Sequence, residues 1–184
     1  MLSWLFRKTR GPVELAADMV GVRLGERLIY VGPILPRVFA MLAKRSGLTG
    51  RACALAFDPS EGRAFEAAAA GEGVFAEVFV AAGGWPLESE GFDVGVVDGR
   101  LLLSPDTADA VLSELRRCLR PGARAVAILE RPRGIAVRLG FEGRHAASDL
   151  ARMLETGLGG AGFTPVRLLA EREGLTFVEG FRAR

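Results

Sequence analysis

The sequence predicts an α/β domain: a mostly parallel sheet with helices on both faces and an antiparallel hairpin at its C-terminal end. Three observations predict it. Short apolar runs alternate with stretches of helical periodicity along most of the chain. The run Leu28-Ile29-Tyr30-Val31-Gly32-Pro33-Ile34-Leu35-Pro36 reads as a buried strand that turns sharply into a helix, punctuated by a glycine and two prolines. The last two strand-like runs are separated only by Glu171-Arg172-Glu173-Gly174, the length of a hairpin connection.

Taken in order, Val13 to Val22 carries apolar residues at Val13, Ala16, Ala17 and Val20, which fits one helical face. Leu24-Gly25-Glu26-Arg27 breaks it and leads into the first strand. The helix after the turn runs from about Pro36 to Ser46 and ends at Gly47, a favoured residue for a helix C-terminus. Ala52 to Phe57 is a second strand, closing on Asp58-Pro59-Ser60-Glu61, and the alanine-rich stretch to Ala70 is the next helix. Ala76 to Val80 is a short third strand, followed by Gly83-Gly84-Trp85-Pro86. The continuous apolar run from Phe92 to Asp98 predicts a fourth strand covered on both faces. Asp106 to Arg120 has an acidic start and a basic end, matching the helix dipole, and stops at Pro121-Gly122. Ala123 to Leu129 is a fifth strand. Glu130 to Gly143 has no clear periodicity and reads as a connection over one end of the sheet. Ser148 to Gly157 returns to helix, and Phe163 to Ala170 and Leu175 to Phe181 form the hairpin. Right-handed crossovers make this a Rossmann-like, mostly parallel sheet.

At 184 residues, 49% hydrophobic and 25% charged, the chain suits one well-buried domain and is too small for two. An N-terminal tail and helix over 1–23 precede the main domain over 24–184. A formal net charge of +2 creates no demand for nucleic acid or anionic lipid. Cys53 and Cys118 form neither a disulfide framework nor a metal cluster and read as reduced thiols of a cytoplasmic protein. The single histidine, His145, excludes a multi-histidine metal site, and no metal is expected. No apolar run approaches the length of a bilayer span. Met1-Leu2-Ser3-Trp4-Leu5-Phe6 is too short for a secretory core, and Arg7, Lys8 and Arg10 follow it instead of preceding it. Such a terminus either folds onto its own domain or makes a weak peripheral contact with a membrane or a protein.

The order of elements resembles that of the class I S-adenosylmethionine-dependent methyltransferases. The resemblance is carried by Tyr30-Val31-Gly32, Phe57-Asp58-Pro59-Ser60, Phe92-Asp93-Val94, Leu119-Arg120-Pro121-Gly122-Ala123 and Gly160-Ala161-Gly162-Phe163-Thr164-Pro165-Val166, and it extends from about Leu24 to Arg182. It implies S-adenosylmethionine as cofactor, held at the first turn. In that family the first strand ends on an acidic residue and the turn has three alternating glycines. Here the acidic position is Tyr30, the first glycine is Gly32, and the other two fall on Ile34 and Pro36. Isoleucine adds bulk, and Pro33 and Pro36 each remove an N–H donor, so the ligand-facing turn is expected to be filled.

By the same resemblance Asp58 accepts hydrogen bonds from the ribose hydroxyls. With Pro59 and Glu61 it also reads as a helix N-cap, and one carboxylate can serve both roles. After the third strand, Gly83, Gly84 and Trp85 stand where the family reads the adenine. Trp85 either stacks on the purine or is a core or lid residue. Asp98 falls where the methyl group and its acceptor meet, or is simply the turn residue of Asp98-Gly99. Where an acceptor must lose a proton, Asp98, Glu130 and His145 are the candidate bases, Asp98 and His145 foremost. Arg131, Arg133, Arg138 and Arg144 either bind an anionic substrate group or form a solvated face.

The function implied is methyl transfer to a small-molecule substrate. The alternative is a methyltransferase-like protein that has lost the cofactor and acts as a scaffold or partner-binding module. A nicotinamide-dependent oxidoreductase is disfavoured because no Gly-x-Gly-x-x-Gly follows the first strand.

Overall fold

A computed structural model describes residues 11–81, 84–131 and 147–184. Helix α1 (Pro12–Val20) precedes β1 (Arg27–Val31), α2 (Pro36–Ser46), β2 (Arg51–Ala56), α3 (Pro59–Gly71) and β3 (Glu77–Val80). Then come β4 (Phe92–Asp98), a 3-10 turn (Gly99–Leu102), α4 (Pro105–Cys118), β5 (Leu119–Glu130), α5 (Ala147–Gly160), β6 (Phe163–Arg172) and β7 (Leu175–Arg182). The sheet order is β3-β2-β1-β4-β5-β7-β6, with β1 to β5 parallel and β7 antiparallel to both neighbours. This is the Rossmann-like sheet with a closing hairpin that the sequence predicts.

Alternate residues of each central strand enter different cores, because helices cover both faces. Leu28 and Tyr30 face the core under α1, α2 and α3, whereas Ile29 and Val31 face the one that includes Leu112, Leu115, Leu154 and Leu158. In the first core Tyr30, Phe39 and Phe65 form a fully buried aromatic trio with ring centroids 5.2 to 5.7 Å apart. Cys53 and Cys118 are free and buried, and burial pushes their thiols up to about 12 and about 11.

One local expectation is corrected. The stretch Leu119 to Gly122 does not end a helix: α4 stops at Cys118 and β5 starts at once, with Leu119 paired to Phe92. The register then shifts before Val94 pairs with Arg124, so the sequence signal for a stop, Pro121-Gly122, marks an irregularity inside a strand. The 3-10 turn after β4 had no periodicity to announce it. The predicted connection from Glu130 to Gly143 lies largely outside the described residues, as does the tail bearing Trp4.

Ion pairs tie together the strand starts at the edge remote from the β1–α2 turn. Asp93 accepts from the Arg27 main-chain N–H at 2.8 Å, from the Arg27 guanidinium, and from Arg120 Nε at 2.5 Å. Burial alone would raise its pKa, but the bonds from Arg27 and Arg120 outweigh it and hold the carboxyl down at about 2. Since the folded value lies below the unfolded one, Asp93 stabilises the fold above about pH 4 and loses that contribution as pH falls toward 2. Thermal melts of wild type and Asp93→Asn should therefore differ at neutral pH and converge across that acid range. Curves that stay parallel down to the acid limit would remove the carboxylate from this account.

Among the described residues no helix is long and apolar enough to cross a membrane, and no group of three or more His, Cys, Asp or Glu could hold a metal ion.

Candidate functional site

The strand order reverses between β1 and β4, and the C-terminal ends of strands at such a reversal are where open α/β sheets bind ligands. The turn out of β1 starts there. Gly32 still donates to the Leu55 carbonyl at 3.0 Å, which continues the β1–β2 ladder, and then adopts φ +89°. Leu35 stands just before α2 in the left-handed region, at φ 46°, a conformation that costs a non-glycine residue strain. Pro36 follows as the first helical residue, where a missing N–H is tolerated. Between Pro33 and Arg37 the turn keeps the N–H groups of Ile34, Leu35 and Arg37.

Tyr30, in the position of the family's acidic residue, is fully buried and donates its hydroxyl to the Ile34 carbonyl at 2.8 Å. Burial first, and the nearby Asp98 carboxylate second, push the phenol well above the ordinary tyrosine range, so it remains a donor. Ile34 is 2% exposed and belongs to the core beneath α2, with Leu35 packed against the same core. The bulk expected to fill the ligand-facing turn therefore goes under it. Tyr30→Phe would strand the Ile34 carbonyl in that core and should cost about 1–3 kcal/mol in a denaturant titration. An unchanged midpoint would mean the carbonyl is satisfied without the hydroxyl.

Gly32 and Asp98 are brought together at the reversal. A Cβ at Gly32 would lie 2.9 Å from Asp98 Cβ and 2.9 Å from Leu101 Cδ1. Asp98 is 1% exposed, and its carboxylate accepts from the Arg100 main-chain N–H at 2.9 Å and from Arg100 Nη2 at 2.6 Å. Arg100 Nε approaches both carboxylate oxygens, at 3.1 and 3.0 Å. Sequence reasoning passed over Arg100, although Asp98-Gly99-Arg100 at a strand end was a local signal for this pair.

Asp58 is exposed at the start of α3, where its Oδ1 accepts from Ser60 N (2.7 Å), Ser60 Oγ (2.5 Å) and Glu61 N (3.1 Å). All three bonds fall on one oxygen, and among the described residues none is recorded at Oδ2. The Ser60 hydroxyl, then the two N–H groups, hold the carboxyl below its usual range, so it is ionised at neutral pH. Glu61 Oε2 in turn accepts from Phe57 N at 2.8 Å, completing the predicted cap one residue earlier than the usual capping box. Phe57 and Val80, at the ends of β2 and β3, leave apolar surface exposed on the same edge.

Trp85 is not gathered with these residues. Its side chain packs partly buried on the α4 side, and its carbonyl accepts from Arg117 Nη2 at 3.4 Å. Gly84 is exposed, while Gly83 and His145 lie outside the described residues.

No family model and no curated protein matches the sequence. Solved structures do match. An S-adenosylmethionine-dependent methyltransferase from Aquifex aeolicus is 16% identical, with a TM-score of 0.72 over 92% of this chain and 89% of that one. An S-adenosylmethionine-dependent O-methyltransferase from Thermotoga maritima is 13% identical, with a TM-score of 0.68 over 94% of this chain and 64% of that one. A methyltransferase from Pyrococcus furiosus is 14% identical, with a TM-score of 0.67 over 93% and 82% of the two chains. With the strand order, these likenesses show that the chain has the fold of the class I S-adenosylmethionine-dependent methyltransferases.

Proposed function

We propose that this chain is an S-adenosylmethionine-dependent methyltransferase acting on a small molecule. The observation that carries the reading is Asp58: an ionised carboxylate at the end of β2, fixed through one oxygen, with no bond at the other among the described residues. A group held in this way can accept from two vicinal hydroxyls without reorganising. The N–H groups of Ile34, Leu35 and Arg37, in the turn and first residues of α2, are potential donors to an anionic ligand group. The bound cofactor would supply a methyl group activated on a sulfonium. The residues' part is to bind the ribose at Asp58, to present the buried Asp98 carboxylate to positive charge, and to hold the acceptor in line. The buried free thiols fit a cytoplasmic setting.

Titrating the purified chain with S-adenosylmethionine and with S-adenosylhomocysteine, by calorimetry and thermal shift, tests this directly. Micromolar binding supports the enzyme. The donors lost at Pro33 and Pro36 favour the second reading, a scaffold that no longer binds the cofactor. Absence of any shift at millimolar ligand would select it.

A further inference from the structure

We infer that Asp98 and Arg100 form a displaceable ion pair, in which the Arg100 guanidinium occupies the place of a cationic ligand group and yields it on binding. The inference rests on the reading of the β1–β4 reversal as a nucleoside site and adds what that site selects: positive charge at the sulfur end of the ligand.

The two partners are unequal. Asp98 has a side chain 1% exposed, set against Gly32 at the β1–β4 reversal, and it cannot lose its counter-charge without leaving a bare carboxylate in a low dielectric. Arg100 has a side chain 56% exposed, so releasing it to solvent costs little. Its recorded contacts among the described residues are to Asp98, and Glu130 and Glu61 add negative charge to its surroundings without touching it. Glu61 uses Oε2 to cap Phe57 N, and Glu130 ends β5 with an exposed side chain. Arg100 can thus be released to solvent, while Asp98 needs a cation in its stead. A sulfonium or ammonium meets that need, and a neutral thioether does not. Such an exchange favours the charged ligand by differential interaction, the only way a ligand can shift a two-state element.

The test compares S-adenosylmethionine, which carries net positive charge, with 5′-methylthioadenosine, which has the same nucleoside but a neutral sulfur and no amino-acid chain, so that neither a sulfonium nor an ammonium is present. Affinities are measured by calorimetry on wild type, Arg100→Gln, Arg100→Lys and Asp98→Asn, each first shown to be folded by its thermal melt. Removing the competing guanidinium in Arg100→Gln should tighten S-adenosylmethionine about five-fold, with 5′-methylthioadenosine unchanged. Arg100→Lys, which restores a competing cation, should return affinity toward wild type. Asp98→Asn, which retains an oxygen for the Arg100 N–H, should weaken S-adenosylmethionine alone. A purely structural role for Arg100 would move both ligands together, and that result, or S-adenosylmethionine binding unchanged or weakened in Arg100→Gln, overturns the inference. If 5′-methylthioadenosine binds while the charge effect is missing, the exchange fails and the nucleoside site stands. If neither ligand binds wild type or Arg100→Gln, both fail.

Discussion

Gly32→Ala should lower stability by roughly 2–5 kcal/mol, placing it among the most damaging single changes in the chain. Two costs add. At φ +89° an L-residue pays backbone strain, and its Cβ would meet Asp98 Cβ and Leu101 Cδ1 at 2.9 Å, closer than real Cβ atoms approach their neighbours. The Leu101 contact is at the end of a flexible side chain and can give way, whereas the Asp98 contact is at its Cβ, which moves only with the backbone of β4. Gly73→Ala separates the two costs. Gly73 also has positive φ, +65°, yet nothing lies within 4 Å of a Cβ built there, so only the strain of about 1–2 kcal/mol should appear. Urea or guanidinium titrations of both variants read the difference. Equal losses would mean that β1 and β4 do not close on each other at Gly32 in solution.

Asp58 carries the largest expected effect on binding. Asp58→Ala removes the cap and the ligand contact together, costing about 1 kcal/mol of stability and roughly a hundred-fold or more in affinity for S-adenosylhomocysteine. Asp58→Asn separates those roles. Asparagine caps about as well as aspartate, so Ser60 and Glu61 keep their acceptor and the melting temperature should barely move. The loss of negative charge should still weaken ligand binding by about ten-fold, because hydrogen bonds to an ionised acceptor are the strong ones. Wild-type affinity in Asp58→Asn would withdraw the ribose assignment while leaving the cap intact.

What could be read in advance follows the range of the interaction. The bounds of α2 and β4 match their predicted ranges of Pro36–Ser46 and Phe92–Asp98, since a helix ending on glycine and a two-faced apolar strand are patterns of adjacent residues. The Asp58 cap was legible for the same reason, all its partners lying within three residues. Leu119 was misread because a local stop signal, Pro121-Gly122, was overridden by pairing with β4. Of the two roles open to Trp85 in the sequence, purine stacking or a core or lid residue, its partly buried packing could not be read in advance, because Arg117, which donates to its carbonyl, is remote in the chain.

The amino-acid sequence by itself determined the alternation of strands and helices, the closing hairpin and the charged cap at Asp58. Each depends on periodicity or on hydrogen bonds that close within one turn. Tertiary structure alone decided that Ile34 packs under the turn and that Asp98 meets Gly32. Those contacts arise because β4 inserts beside β1, and the position of a left-handed residue such as Leu35 sets side-chain direction in a way no hydrophobic period records.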